Sequence, residues 1–247
     1  MIGVDPSGRR PSQLLVLWST PRARSTAFLR MMMERDDLTV LHEPFSQLAD
    51  FGSSMVDGRV TRSEPELIDA IRRLAAANPV FFKDTTDFRY PGVLADRGFL
   101  REATHTFLVR HPREVIASHY ALNPKLTCDE IGFARLHELY LAARDATGRP
   151  PVVVDADDLL DGPERTVRAY CDQIGLPFRA EALRWSAGMP DQWRQTERWH
   201  VDAANSGGFT RAARSYLVTV DNDPVLAEYY SHHLPFYAYL HERRLRV

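Results

Sequence analysis

The chain contains little cysteine, little lysine and no excess of positive charge. Its two cysteines, Cys128 and Cys171, lack the spacing of a disulfide framework or a zinc site, so the sequence predicts neither, and no metal is expected. With 31 basic and 33 acidic residues among 247, the net charge is −2. The chain therefore lacks the overall positive charge that favours binding to nucleic acid or anionic lipid, and any anion it binds must be held by a local group of cations.

Long apolar runs are also missing. No stretch approaches the ~18 consecutive apolar residues of a membrane span, and residues 1–13 are polar and basic, unlike an export signal. We expect residues 1–13 to form a flexible leader and the protein to be cytoplasmic, with neither a membrane nor a nucleic acid as partner. Hydrophobic residues nevertheless make up 44% of the chain, which is enough for a sizeable core.

Short apolar runs alternate with helical patterns as far as Pro177. Runs typical of buried strands occupy residues 14–18, 80–82, 105–109 and 152–154, with a possible short strand at 38–41. Helix starts are indicated at Ser25, at Ser63 with Glu66 three residues later, at Pro112 and at Pro163. The alternation predicts a single α/β domain over residues 14–247, with a parallel β-sheet flanked by helices. Beyond Pro177 the pattern weakens, and we expect residues from about 178 to 247 to form a C-terminal cap on the same domain.

A polar loop joins the first predicted strand to the first predicted helix. Residues 19–26 read STPRARST and supply two arginines, Arg22 and Arg24, with the hydroxyls of Ser25 and Thr26. At the end of a parallel strand, these donors and the free amides of a helix N-terminus can surround a phosphate or a sulfate. The alternative is a surface loop with solvated arginines, in which Ser25 only caps the helix. Because the loop lacks the glycines and lysine of GxxxxGK[ST], an ordinary ATP or GTP hydrolase is disfavoured, while a variant kinase stays open.

A second candidate anion site begins at Arg110, which ends a predicted strand. Pro112 starts the next helix, and Ser118 follows Arg110 by eight residues. Both side chains can therefore face one anion. The alternative is an arginine in an ion pair and a serine that faces solvent.

Together these segments resemble the PAPS-dependent sulfotransferases of the bacterial, small-molecule type, which use 3′-phosphoadenosine 5′-phosphosulfate (PAPS) as sulfuryl donor. Residues 20–26 look like the 5′-phosphosulfate loop of that family, and residues 110–118 look like its 3′-phosphate motif. A third match, from residues 156–160 to 176–177, is similar to the family's acidic turn, proline-started helix and closing Gly-Leu-Pro. The resemblance implies a P-loop-like fold and PAPS as the donor. It also implies that the donor contacts come from Arg22, Ala23, Arg24, Ser25, Thr26, Arg110 and Ser118.

Two positions depart from the family pattern. Arg24 stands where the family commonly has glycine, and a side chain there is strained if the backbone requires positive φ. Thr85 stands where many members place a histidine base, two residues after a lysine that this chain keeps as Lys83. The base must therefore come from elsewhere.

Sulfuryl transfer needs cations near the leaving oxygen and a base for the proton of the acceptor. Lys83 and Arg22 are the candidate cations. For the base we favour Glu43, because some bacterial carbohydrate sulfotransferases resemble this arrangement, with a glutamate after the first helix. His42 and Asp84 are alternative bases, and a surface ion pair is the alternative role for Glu43.

The predicted function is transfer of a sulfuryl group from PAPS to a hydroxyl, or an amine, of a small-molecule acceptor without a metal. A nucleotide-dependent small-molecule kinase of P-loop-like fold and a non-catalytic nucleotide-binding protein are the alternatives. Trp193, Trp199 and the C-terminal aromatic residues either belong to the core or wall an acceptor or adenine pocket. The acceptor is not readable from the sequence, and nothing in it supports a particular oligomeric state.

Overall fold

A computed structural model describes residues 13–211 and 215–247, apart from the side chains of Gln192 and Gln195. The predicted leader, except for Gln13, lies outside the described residues. Within the described part of the chain, no helix is both long and apolar enough to cross a membrane.

The centre of the structure is a parallel sheet of five strands with a two-stranded hairpin beside it. The strands are β1 (Leu14–Ser19), β2 (Thr39–His42), β3 (Ser54–Val56), β4 (Arg59–Thr61), β5 (Val80–Thr85), β6 (Thr104–Val109) and β7 (Val152–Asp155). The order across the sheet is β2-β5-β1-β6-β7, with parallel pairing throughout, while β3 and β4 pair antiparallel. The predicted α/β fold with a parallel sheet is therefore confirmed, including the short strand after the first helix.

Helices cover both faces of this sheet. They are α1 (Ser25–Met33), α2 (Pro44–Phe51), α3 (Glu64–Ala77), α4 (Pro91–Ala95), α5 (Arg97–Glu102), α6 (Pro112–Tyr120), α7 (Phe133–Thr147), α8 (Ala156–Asp161), α9 (Pro163–Ile174), α10 (Val201–Ala204) and α11 (Pro224–Glu242). Shorter 3₁₀ segments occur at Asp129–Ile131, Ala180–Leu183 and Asp191–Trp199. The predicted start of α3 is confirmed, since the Ser63 side chain accepts a hydrogen bond from the Glu66 amide, and α9 ends as predicted before Gly175, which has φ of 73°.

The core lies in two layers because side chains of a strand alternate between the faces of the sheet. Along β1, Val16 and Trp18 belong to one apolar cluster, while Leu15 and Leu17 belong to the other. The first cluster packs under α3, α5, α6, α7 and α11, and the second packs under α1 and α9. Because the five strands of the central sheet are parallel, their carboxyl ends lie at one edge, and this edge is where ligands bind in open α/β folds.

One part of the C-terminal region packs into the core, and another part lines a cavity. Helix α11 packs against α6 and α7, and its Leu226 and Leu240 belong to the first core cluster. Residues of the segment 196–211, by contrast, line a cavity together with the loop that follows β1. The division of the chain into a leader, a domain and a C-terminal cap stays a prediction.

Candidate active site

The loop after β1 lies at the carboxyl edge of the sheet and has an unusual backbone. Arg22 and Arg24 adopt positive φ, 62° and 67°, and Arg24 occupies the N-cap position of α1. A left-handed conformation costs about 1 kcal/mol or more for a residue with a side chain, so the concern raised by an arginine in place of glycine is justified. Ser25 is the first residue of the helix, and the N-cap residue Arg24 makes no side-chain capping bond. The idea that Ser25 only caps the helix is therefore wrong.

The side chains of this loop contact the segment that covers it. Arg22 donates one hydrogen bond from Nε to Ser118 Oγ (3.1 Å) and one from Nη1 to the carbonyl of Trp199 (2.8 Å). Thr26 Oγ1 lies 3.2 Å from Nδ1 of His200. The Nε atom of Arg24 is buried and has no hydrogen-bond partner among the described residues. Ala23 differs from the others, because its amide donates to Thr20 within the loop and it does not line the cavity.

Arg110 and Ser118 adjoin the same loop, as their spacing predicts. The Nη1 atom of Arg110 donates to the carbonyl oxygen of Arg22 (3.0 Å), and Nη2 donates to Glu114 (3.1 Å). Burial lowers the pKa of Arg110, and burial followed by the charge of Arg110 lowers that of Arg24. Because three guanidinium groups and one hydroxyl converge here in a partly dehydrated place, a bound anion would be strongly stabilised.

Lys83 and Glu43 form an ion pair at the end of β5. The Lys83 ammonium contacts Oε1 of Glu43, and the two side chains are only 1% and 13% exposed. Burial alone would raise the pKa of Glu43, but the opposing charges of Lys83 and His42 outweigh it and lower this pKa to about 2. Glu43 is therefore an ionised carboxylate at neutral pH in this arrangement.

The backbone of Glu43 is fixed by bonds to β5. Its φ is 48°, its amide donates to the carbonyl of Lys83 (2.8 Å), and its own carbonyl accepts from the Gln47 amide (2.9 Å). Next along the chain, the amides of Phe45 and Ser46 both donate to the Asp84 carboxylate, at 2.7 and 3.1 Å. These bonds hold a strained residue at the site, where strain is expected to serve a function.

Asp84 consequently acts as the N-terminal cap of α2. Its carboxylate also accepts from the Ser46 hydroxyl (2.6 Å) and from the Thr85 amide (3.0 Å), and the residue is fully buried. Burial and the charge of Glu43 raise the pKa of Asp84 to about 7, against the opposing effect of its hydrogen bonds. Asp84 does not line the cavity, so this geometry favours a positioning role over that of the base.

His42 and His200 lie beside Glu43. His42 Nε2 is 3.6 Å from Oε2 of Glu43, and the rings of His42 and His200 meet edge to face at 4.7 Å. Of these two, His200 lines the cavity and His42 does not. Burial, and then the charges of His42 and Lys83, lower the pKa of His200 to about 3, so His200 is neutral at pH 7.

One cavity joins these groups. It has a volume of about 580 Å³, which is typical of small-ligand sites, and it is lined by Arg22, Arg24, Arg110 and Ser118 as well as by Glu43 and Lys83. The lining also includes Asp50, Asp87, His200, Arg211 and Tyr216, which the sequence patterns do not single out, and Trp199, for which they leave both core and pocket wall open. Trp199 is thus a wall residue, whereas Trp193 is buried in the core.

Among the residues that the structure describes, two groups of side chains could offer ligands to a metal ion: His42 with Glu43 and His200, and Cys128 with His232 and His233. In the first group, Nδ1 and Nε2 of His200 already contact Thr26 and Thr196. In the second, Nε2 of His233 lies 2.7 Å from the carbonyl of Cys128. A metal ion bound by His200 would have to displace one of its two contacts, and a metal-free site stays our prediction.

Comparison with known proteins adds a family match. A family model described as "Sulfotransferase domain" matches residues 13–244. The "Branched-chain-amino-acid aminotransferase-like protein 2" of Arabidopsis thaliana is 28% identical over 207 residues, which are 80% of this chain and 36% of that protein. The chain therefore spans about a third of the length of this relative.

Solved structures of sulfotransferases are also similar to this chain. A sulfotransferase from Alicyclobacillus acidocaldarius has a TM-score of 0.48 and 12% identity, with 79% of this chain and 93% of that chain covered. The mouse sulfotransferase SULT7A1, solved in complex with PAP, has a TM-score of 0.45 and 11% identity, with 81% and 68% covered.

Proposed function

The chain belongs to the sulfotransferase domain family, and on that premise we propose that it transfers a sulfuryl group from PAPS to a hydroxyl, or an amine, of a small-molecule acceptor. The observation that carries the proposal is that one cavity joins the arginine-rich loop after β1 to the Lys83–Glu43 pair. One end of this cavity suits a nucleotide with two anionic groups. The other end has a cation and a carboxylate suited to the transfer step.

The residues present fit such a donor. Arg110 and Ser118 would hold the 3′-phosphate, while Arg22, Arg24 and the first amides of α1 would hold the 5′-phosphosulfate. The buried Nε of Arg24, which has no partner among the described residues, is a donor that lacks an acceptor. An anion at this position would supply one. The donor contributes an activated sulfuryl group, and the tasks that remain belong to the side chains.

Two of those tasks fall to Lys83 and Glu43. Lys83 stabilises the negative charge that develops on the bridging oxygen as its bond to sulfur breaks. Glu43 takes the proton from the acceptor hydroxyl as the new S–O bond forms. The products are then the sulfated acceptor, adenosine 3′,5′-bisphosphate and the proton held by Glu43.

Calorimetric titration with adenosine 3′,5′-bisphosphate and with ATP, each with and without Mg²⁺, tests this proposal. We expect the bisphosphate to bind equally well with and without Mg²⁺, and at least tenfold more tightly than ATP. Tighter, Mg²⁺-dependent ATP binding would favour a kinase, since phosphoryl transfer from ATP requires the metal. Bisphosphate binding without turnover of PAPS on any acceptor would instead favour a nucleotide-binding protein.

A further inference from the structure

The two ends of the cavity carry opposite charge. Arg22, Arg24 and Arg110 line the end formed by the loop after β1; Glu114 and Asp202 also line it and pair with Arg110 and Arg22, which leaves an excess of positive charge there. The end formed by α2 and the turn after β5 is lined by Glu43, Asp50 and Asp87. This acidic end is where the Lys83–Glu43 pair places the acceptor, if the proposed function is right.

Positive charge is scarce at the acidic end. Lys83 pairs with Glu43, whereas Asp50 and Asp87 form no ion pair within residues 13–211 and 215–247. Oδ1 of Asp87 is buried and lacks a hydrogen-bond partner among the residues described. The fully buried Asp84 adds a further carboxyl group behind this wall. A buried carboxylate oxygen without a partner is rare unless a bound group completes it.

The three carboxyl groups at the acidic end also repel one another. Burial, and then the charge of Glu43, raise the pKa of Asp50. The same two causes raise the pKa of Asp87 to about 7, against the opposing effect of hydrogen bonds to its carboxylate from the Thr85 side chain and from its own backbone amide. Arg198 opposes this effect at Asp50, but it does not line the cavity. The acidic end would therefore be stabilised by a cation supplied from outside the chain.

We propose that the acceptor is a hydroxyl compound with a protonated amine, whose ammonium group lies against Asp50 and Asp87 while its hydroxyl faces Glu43. The inference rests on the proposed function and names its substrate class. A neutral polyol could donate hydrogen bonds to the same carboxylates, but it would leave their charge uncompensated. An anionic acceptor would be repelled from this wall.

Two matched sets of acceptors test the proposal at pH 7.5 with PAPS as donor. The first set is tyramine, N-acetyltyramine and 3-(4-hydroxyphenyl)propionate, and the second is glucosamine, N-acetylglucosamine and glucose. We expect the cationic member of at least one set to have a kcat/KM at least tenfold above its neutral counterpart. In the Asp50→Asn and Asp87→Asn proteins, the ratio of kcat/KM between the cationic and the neutral acceptor should fall by about tenfold, because a neutral carboxamide cannot balance the positive charge of an ammonium group.

Control measurements distinguish a specific effect at the acidic end from a general effect of the substitution or a loss of folding. Asp172→Asn makes the same chemical change at an exposed position of α9 and should leave the ratio unaltered. Calorimetry with adenosine 3′,5′-bisphosphate shows whether each variant is folded. Equal or better use of the neutral or anionic members, no turnover of either cationic member, or an unchanged ratio in both variants would overturn the inference. Failure of the wild-type protein to bind the bisphosphate would instead overturn the proposed function.

Discussion

Replacing Glu43 with glutamine tests both the chemistry and the electrostatics of the site. The substitution keeps the shape of the side chain but removes its charge and its ability to accept a proton. If Glu43 is the general base, kcat should fall by a factor of about 100 or more. The affinity for adenosine 3′,5′-bisphosphate should stay within about threefold, because Glu43 belongs to the acceptor end of the cavity.

The same substitution has a calculable effect on stability. The pKa of Glu43 falls from 4.5 to about 2 in the folded protein, and each pKa unit corresponds to about 1.4 kcal/mol. The ionised carboxylate therefore contributes about 3 kcal/mol to the free energy of unfolding. Because the folded pKa is depressed, this contribution is fully present above pH 4.5 and is lost as the pH falls towards 2. In the variant, Lys83 would also remain almost fully buried without its partner, which is destabilising.

Urea unfolding at pH 7 and at pH 3 measures this contribution. We expect Glu43→Gln to be less stable than wild type by about 3 kcal/mol at pH 7, with a smaller difference at pH 3. Glu164→Gln is the matched control, because Glu164 pairs with Arg168 on the surface of α9 with its side chain 64% exposed. It should change stability by less than about 0.5 kcal/mol. Normal turnover by Glu43→Gln would exclude it as the base, and a pH-independent stability difference would contradict the ion pair.

Three further substitutions test other parts of the site and the core. Arg110→Ala should weaken binding of adenosine 3′,5′-bisphosphate at least tenfold in calorimetry, and Ser118→Ala less, while AMP binding changes little; equal losses for both nucleotides would remove the 3′-phosphate assignment. Burial lowers the pKa of His105 from 6.5 to about 4. As the pH falls below 6.5, His105 is therefore protonated in the unfolded chain but stays neutral in the folded protein. The free energy of unfolding, measured with urea, should therefore fall between pH 6 and pH 4.5 more steeply for wild type than for His105→Asn, by about 1.4 kcal/mol per pH unit. The same pH dependence in both proteins would show that His105 does not cause the loss of stability. Asp84→Asn should lower the free energy of unfolding by about 1–2 kcal/mol, with a smaller loss of kcat than Glu43→Gln; an equal or larger loss of kcat would assign the base to Asp84.

The parts of the fold that were predictable depend on local chemistry. Buried parallel strands consist of consecutive apolar residues, so the runs at residues 80–82 and 152–154 are recognisable without any knowledge of their neighbours. Helices α3 and α9 carry their own start and stop signals in Ser63 and Gly175. The arginine pair of the loop after β1 was also recognisable, because its position between a strand and a helix determines its surroundings.

Other parts of the site depend on contacts between distant residues. Helix α2 lacks a side-chain cap at its own N-cap residue, because Asp84 caps it from the neighbouring strand. His200 reaches the site only because the segment 191–204 folds over the loop, where it contacts Thr26 across 174 positions of sequence. No spacing rule links such residues. Asp87 likewise gains significance only from the cavity that it shares with Asp50.

The Lys83–Glu43 pair suggests how the two tasks of the proposed reaction are coupled. While the ammonium contacts the carboxylate, it is poorly placed to stabilise a leaving oxygen, and the carboxylate is a weak base because its pKa is about 2. When Lys83 turns to the developing charge on the donor, Glu43 loses its main counterion but stays buried, and burial favours the protonated form. The same displacement therefore supplies the cation where charge develops and makes the carboxylate more basic when the acceptor releases its proton. On this scheme the Lys83–Glu43 ion pair is therefore weaker in the transition state than in the ground state, which is the differential stabilisation that catalysis requires.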